Sequence, residues 1–169
     1  MRIIELKQEN NWIEKIADEA NQLKMKLGDV VIEIHHIGST AIPGIFAKPT
    51  IDIILEVNNI ADLDEKATIL EELGYDAKGE FGVTGRRYFQ KGGDNRTHHM
   101  HAFASGSKEI ARHLLFRDYL RAHKHKANEY ETLKLNLATK FKFSPEEYAQ
   151  GKNELIEKLE NEALVWTNS

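Results

Sequence analysis

Cysteine is absent from this 169-residue chain, which removes disulfide frameworks, thiolate metal sites and cysteine nucleophiles from consideration. No apolar run reaches the length of about eighteen residues that a membrane-spanning helix needs. The opening MRIIELKQEN has no apolar stretch followed by a cleavage site, so no secretory leader is expected. With the missing cysteines, this fits a cytoplasmic protein. Nor is there an excess of basic charge: 23 Lys and Arg stand against 27 Asp and Glu, a net charge of −4, and a global electrostatic footprint for nucleic acid is lacking. Repeats, low-complexity tracts and linkers rich in Pro, Gly or Ser are likewise missing.

What is present suits a soluble globular protein. Hydrophobic residues make up 41% and charged residues 30%, a balance that excludes disordered and collagen-like classes. The length matches one domain over residues 1–169, able to bury roughly 70% of its unfolded surface. Trp12, Ile16, Ala20, Leu23 and Leu27 recur at helical spacing, and Gly28 follows as a stop. Val30 to Ile37 and Thr50 to Val57 read as strands around a loop from Gly38 to Pro49. Ala61 to Leu73 reads as one helix ended by Gly74, with a short strand at Tyr75 to Lys78. Glycine-punctuated runs at Arg86 to Lys91 and Thr97 to Phe103 predict a hairpin. Three helices then follow: Ser107 to about Lys124, Asn128 to about Lys140, and Pro145 to Trp166, the last behind a Ser144–Glu147 capping box. The expected fold is α+β, with an N-terminal helix, a mixed β-sheet and a helical C-terminal third.

Three segments carry candidate chemistry. The first is His36-Ile37-Gly38-Ser39-Thr40 with Asp52, residues 40–51 lying between Ser39 and Asp52. A carboxylate within an otherwise apolar strand needs a partner or a cation, and a Gly-Ser turn beside it suits a phosphate held next to a bound metal. A glycine turn with a locally paired Asp is the plainer alternative. The second segment is Thr97 to Phe103, where alternation puts His99 and His101 on one face, ~6.6 Å apart along the strand. Such a pair can grip a metal or a phosphate, or act as acid or base. His98, on the other face, reads as structural. The third is a cationic stripe, His113, Arg117, Arg121 and His125, more readily a solvated face than a phosphate clamp. Lys48 and Arg87 are further cations near the expected cleft, and Glu33 and His35 share a strand face and could pair.

The segment HIGSTAIPGIFAKPTIDI resembles the signature of the GrpB family, and RYF (Arg87 to Phe89), THHMHAF, HLLFRDYLR and YETLKLNLA extend the resemblance over most of the chain. That family is similar in fold to the polymerase-β-type nucleotidyltransferases, whose pattern is a strand, a Gly-Ser turn, about a dozen residues and Asp-x-Asp. Gly38, Ser39 and Asp52 fall on it. The second carboxylate does not, because Ile54 stands there. Glu56 lies on the same face but ~13 Å beyond Asp52, too far to share one ion. If the His strand supplies the site's later ligands, imidazole has replaced carboxylate and favours Mn²⁺ over Mg²⁺.

The resemblance implies a protein that binds a nucleotide or phosphorylated metabolite with a divalent cation, Mg²⁺ or Mn²⁺. Gly38, Ser39, Thr40, Lys48, Arg87, Arg117 and Arg121 would meet phosphate, and Asp52, His99 and His101 would hold metal or do the chemistry. Transfer of a nucleotidyl group to a small acceptor is the implied reaction. Two other readings stay open. One is a catalytically inactive ligand-sensing or interaction module, since a similar domain is joined to dephospho-coenzyme A kinase in some larger proteins. The other is a metal-dependent hydrolase.

Overall fold

The second strand organises the molecule. In TIDIILEV, alternate residues Ile51, Ile53, Leu55 and Val57 are buried on one side and Ile54 on the other, a pattern only a central strand covered on both faces can satisfy. The computed structural model describes residues 12–44 and 50–167. In it, β2 (Ile51–Val57) pairs antiparallel with β1 (Val31–Ile37) and parallel with β5 (His98–Ala104). β5 continues antiparallel to β4 (Arg87–Lys91), and β4 to β3 (Tyr75–Ala77), giving the order β1-β2-β5-β4-β3. The result is the α+β fold expected, with a five-stranded mixed sheet.

One face of the sheet is sealed by α1 (Trp12–Leu27), α2 (Ile60–Asp64) and α3 (Ala67–Glu72). Trp12, Leu23, Leu27, Leu63 and Leu70 pack there on Ile53, Leu55 and Met100, each fully buried aliphatic contributing ~1.5–3 kcal/mol. The other face is covered less completely. Ile37, Ile54 and Phe103 meet Ile110 of α4 (Lys108–Ala122). Outside them, α4, α5 (Lys124–Lys140) and α6 (Pro145–Thr167) make their own core around Phe116, Leu120, Tyr130, Leu155 and Leu159. A gap remains where β2 and β5 begin, and Asp52 and His99 lie in it.

Two element boundaries differ from expectation. The helix expected over Ala61–Leu73 is two pieces, because Lys66 N–H donates to Leu63 C=O (2.9 Å) and ends α2 with a tight i→i−3 turn. The first expected gap in the helical third, between about Lys124 and Asn128, closes to a single residue: α4 ends at Ala122 and α5 starts at Lys124, hinged on His123. His125 therefore sits on α5 and not on the stripe of α4. Among the described residues, no helix is long and apolar enough to cross a membrane.

Candidate functional site

The loop leaving β1 turns sharply at Gly38, whose φ of +73° and ψ of −168° suit only glycine. A Cβ at this position would stand 2.8 Å from Asp52 Oδ2, so glycine also lets the turn close onto the carboxylate. A single 3₁₀ turn, Ser39–Ala41, follows. Its hydroxyls are used internally. Lys134 Nζ donates to Ser39 Oγ (2.6 Å), Ser39 Oγ donates to the Tyr130 hydroxyl (3.3 Å), and Thr40 Oγ1 lies 2.7 Å from His36 Nε2.

The register of the parallel pair sets Asp52 beside His99 and Ile54 beside His101. Asp52 Oδ1 is 3.4 Å from His99 Nδ1 and 3.9 Å from His101 Nε2, so the three side chains picked out in the sequence do converge. Burial alone would raise the Asp52 pKa. The polar contacts with His101 and His99 outweigh it, and the carboxyl stays ionised far below the usual carboxylate range. The two imidazoles are not equivalent. An arginine can only donate, so Arg86 Nη1, 3.2 Å from His101 Nδ1, makes that nitrogen an acceptor and leaves the proton of a neutral ring on Nε2, towards Asp52. His99 presents Nδ1 to Asp52, and its Nε2 is buried without a hydrogen-bond partner.

Asp52, His99, Ser39 and Thr40 line a cavity of about 110 Å³ whose far wall comes from α5 and α6: Lys134, Tyr148 and Lys152. At ~30 Å³ per water, it has room for one phosphoryl-sized group. Lys134 is only 1% exposed, and its ammonium stands 4.9 Å from the Tyr130 ring. The Lys152 ammonium is held above its ordinary pKa chiefly by Tyr130, against burial, with help from Tyr148 and Asp52. Two lysines against one carboxylate make the cavity net cationic. Sequence reading missed Lys134 and Lys152; a signal was there, in Tyr130-x-x-x-Lys134 and Tyr148-x-x-x-Lys152, one helical turn apart on consecutive helices.

Other candidates lie elsewhere. Arg87 stands on the opposite sheet face, since Tyr88 is the residue facing His101, and it is paired with Asp64 at 2.9 Å. The stripe of α4 is half-buried at His113 and Arg117 and solvated at Arg121. Arg117 Nη1 donates to His36 C=O (3.2 Å) and Arg121 Nε to Ala41 C=O (2.8 Å), so both arginines clamp the loop backbone, and His113 Nδ1 donates to Glu109 C=O (2.7 Å) within its own helix. Lys48 lies outside the described residues. His35 pairs with Glu56 (2.8 Å), not with Glu33, and Ser105 Oγ donates to the same Glu56 (2.8 Å), so the nearest substitute for the missing second carboxylate is engaged. Ile54 itself is 0% exposed, among Ile37, Phe103 and Ile110. Among the described residues, no group of three or more His, Asp or Glu side chains forms a ready-made metal cage.

A Gly-Ser turn closed onto a strand carboxylate, on a five-stranded mixed sheet with helices behind it, defines a nucleotidyltransferase-like fold. Solved structures of Cid1, a poly(U) polymerase, share it at a TM-score of 0.54 with 12% identity, over 76% of this chain and 42% of that one for the complex with its short product ApU. The chain belongs to the GrpB family: the profile described as GrpB protein matches residues 3–162. The crystal structure of conserved protein GrpB from Enterococcus faecalis superposes with a TM-score of 0.90 at 40% identity, covering 95% of this chain and 97% of that one. Among curated relatives, UPF0157 protein YqkA of Bacillus subtilis is 48% identical over 92% of this chain, and glutamate-rich protein GrpB of Alkalihalophilus pseudofirmus 34% identical over 90%. The chain spans 45% of YqkA, 65% of UPF0157 protein PA4798 of Pseudomonas aeruginosa and 90% of the Alkalihalophilus protein.

Proposed function

We propose that this protein binds a nucleotide or another phosphorylated metabolite, with one phosphoryl group in the cavity between the Gly38-Ser39 turn and the lysines of α5 and α6. The observation that carries the reading is the convergence of Lys134 and Lys152, from separate helices, on a partly enclosed polar cavity that also holds Asp52. Two ammonium groups, Lys134 buried and Lys152 half-buried, beside one carboxylate favour an anion. The solved complexes of Cid1 with ApU and with MgGTP support the ligand class by analogy of fold.

A divalent cation fits the donors present. Asp52 is ionised, and His99 turns its Nδ1 towards it at 3.4 Å. These two would hold the ion, with ligand phosphates completing its shell. Imidazole in the set favours Mn²⁺ over Mg²⁺. When bound, the ion supplies charge neutralisation on the phosphates. The chain's own part is positioning: Lys134 and Lys152 neutralise phosphate oxygens, Gly38 keeps the turn against Asp52, and Arg117 and Arg121 hold that turn's backbone in place. Nucleotidyl transfer to a small acceptor is the activity to assay. Ile54 favours a second reading, a ligand-sensing module without catalysis, because the position of the second carboxylate is built into an apolar cluster.

Thermal shift with nucleoside triphosphates, with and without Mg²⁺ or Mn²⁺, tests the proposal. Ligand at a hundred times its Kd should add ~2.7 kcal/mol, several degrees of Tm. The shift should need the metal and vanish in Asp52→Asn. A cooperatively melting protein that no nucleotide shifts would refute the nucleotide as its ligand.

A further inference from the structure

One aromatic cluster beside the cavity has no part in the reading so far. Tyr88 faces His101 across the β4–β5 pairing, with ring centroids 5.0 Å apart, and is 5.9 Å from the His99 ring. On Tyr88 lies Phe81, stacked at 5.1 Å with an interplanar angle of 19°. Phe81 belongs to the loop between β3 and β4, over residues 78–86. Val83 of that loop packs on the Ile37, Ile54, Phe103 and Ile110 cluster, which fixes the loop to the sheet face that carries Asp52.

Phe81 is held in a costly way. It is the one described non-glycine residue with positive φ, +49°, a conformation that an aromatic residue with a Cβ adopts only under constraint. The constraint is visible. Arg86 Nε donates to Glu80 C=O (3.1 Å), Arg86 Nη2 to Phe81 C=O (2.7 Å), and Gly85 N–H to Glu80 Oε2 (2.6 Å). The same guanidinium lies 4.9 Å from the Tyr88 ring centroid and donates to His101. All of this leaves Phe81 59% exposed. A strained backbone and a dedicated arginine that present a large apolar ring to solvent contribute little to the core, so the ring's open face is the feature to explain.

We infer that Phe81 is a stacking platform for the nucleobase of a nucleotide whose phosphates lie at Asp52, an inference that rests on the reading proposed above. Two ring-to-ring steps, 5.1 and 5.0 Å, lead from Phe81 to the imidazole beside Asp52, a reach of the same order as that between the base and the phosphates of a nucleotide. Phe81 offers a π face and no hydrogen-bonding group, so it holds any base and favours purines through their larger stacking area. Arg86 is a positioning residue that couples the platform to His101.

Direct binding of ATP, UTP and inorganic tripolyphosphate, with Mn²⁺ present, tests this on wild type, Phe81→Ala, Phe81→Gly and Phe81→Trp. Loss of one stacked base should weaken ATP binding about 5- to 150-fold in the alanine and glycine variants and leave tripolyphosphate unchanged. Glycine relaxes the positive φ, so that variant stays folded and isolates the ring. Phe81→Trp should restore ATP affinity, with tryptophan emission changed by ATP and not by tripolyphosphate. Retention of ATP affinity within twofold in Phe81→Gly would overturn the platform while leaving the phosphate site standing. Failure of wild type to bind either ATP or tripolyphosphate would overturn the phosphate site and the platform with it.

Discussion

At the scale of single residues, Lys134 separates a functional charge from a structural one most sharply. An ammonium with 1% exposure carries a desolvation cost, which a methionine of similar length removes together with the bond to Ser39 Oγ (2.6 Å). Lys134→Met should therefore melt within about 1 kcal/mol of wild type, or above it, while losing the metal- and nucleotide-dependent Tm shift. Urea melts with and without ligand check this. A variant that unfolds outright, or that keeps the full ligand shift, would make Lys134 a scaffold residue. The one local sign of Lys134 is Tyr130 a helical turn before it, because its neighbours Leu133 and Leu135 suggest only an amphipathic helix. What buries it is the approach of α5 to the Ser39 turn. Gly38, Ser39, Asp52, His99 and His101 were legible because strand and turn are local properties, and alternation alone puts the two imidazoles on one face.

Among the elements, β2 decides what chemistry the site can support. Position 54 would carry the second carboxylate of Asp-x-Asp, but β1, β5 and α4 have closed over it with Ile37, Phe103 and Ile110. Ile54→Asp should thus fail to restore a two-metal site. It buries a carboxyl without a partner and removes a fully buried aliphatic, together costing on the order of 3–5 kcal/mol. Denaturant unfolding reads the loss directly; an Ile54→Asp protein as stable as wild type, with new metal-dependent transferase activity, would overturn this account of the strand. The boundaries that sequence reading missed have a common cause. The break between α2 and α3, and the α4–α5 hinge at His123, are made by backbone turns without glycine or proline, so no local punctuation marks them. Arg87 went astray for a related reason: its face depends on which residue of β4 meets His101, and that register is set by pairing and not by composition.

Over the whole molecule, the histidines couple stability to pH. Burial chiefly lowers the pKa of His36, aided by Arg121 and Arg117 and opposed by Asp52, to about 4; burial also lowers His98 and His113. These rings are neutral in the folded state at pH values where the unfolded chain, with an ordinary value near 6.5, already takes up protons. Because the unfolded state binds more protons in that window, stability rises with pH and is lost as pH falls from about 6.5 towards 4. For His36 the loss is at most about 3 kcal/mol, an upper bound that partial solvent screening reduces. The depressed carboxyls, Asp52 and Glu19, contribute in the opposite part of the range: their stabilisation is present above about pH 4 and fades below it. Acid unfolding should accordingly come in two stages, histidines first. His36→Gln should flatten the decline in Tm between pH 6.5 and 4.5 without altering the later stage, as a pH series of calorimetric melts would read. An unchanged decline would assign it to His98 and His113, on the α1 side of β5 and in α4. A flattened one would tie acid sensitivity to the loop of the candidate site, where His36 meets Thr40 at 2.7 Å and Arg117 holds the His36 carbonyl at 3.2 Å, so that the turn packed against Asp52 is the part of the fold that yields first.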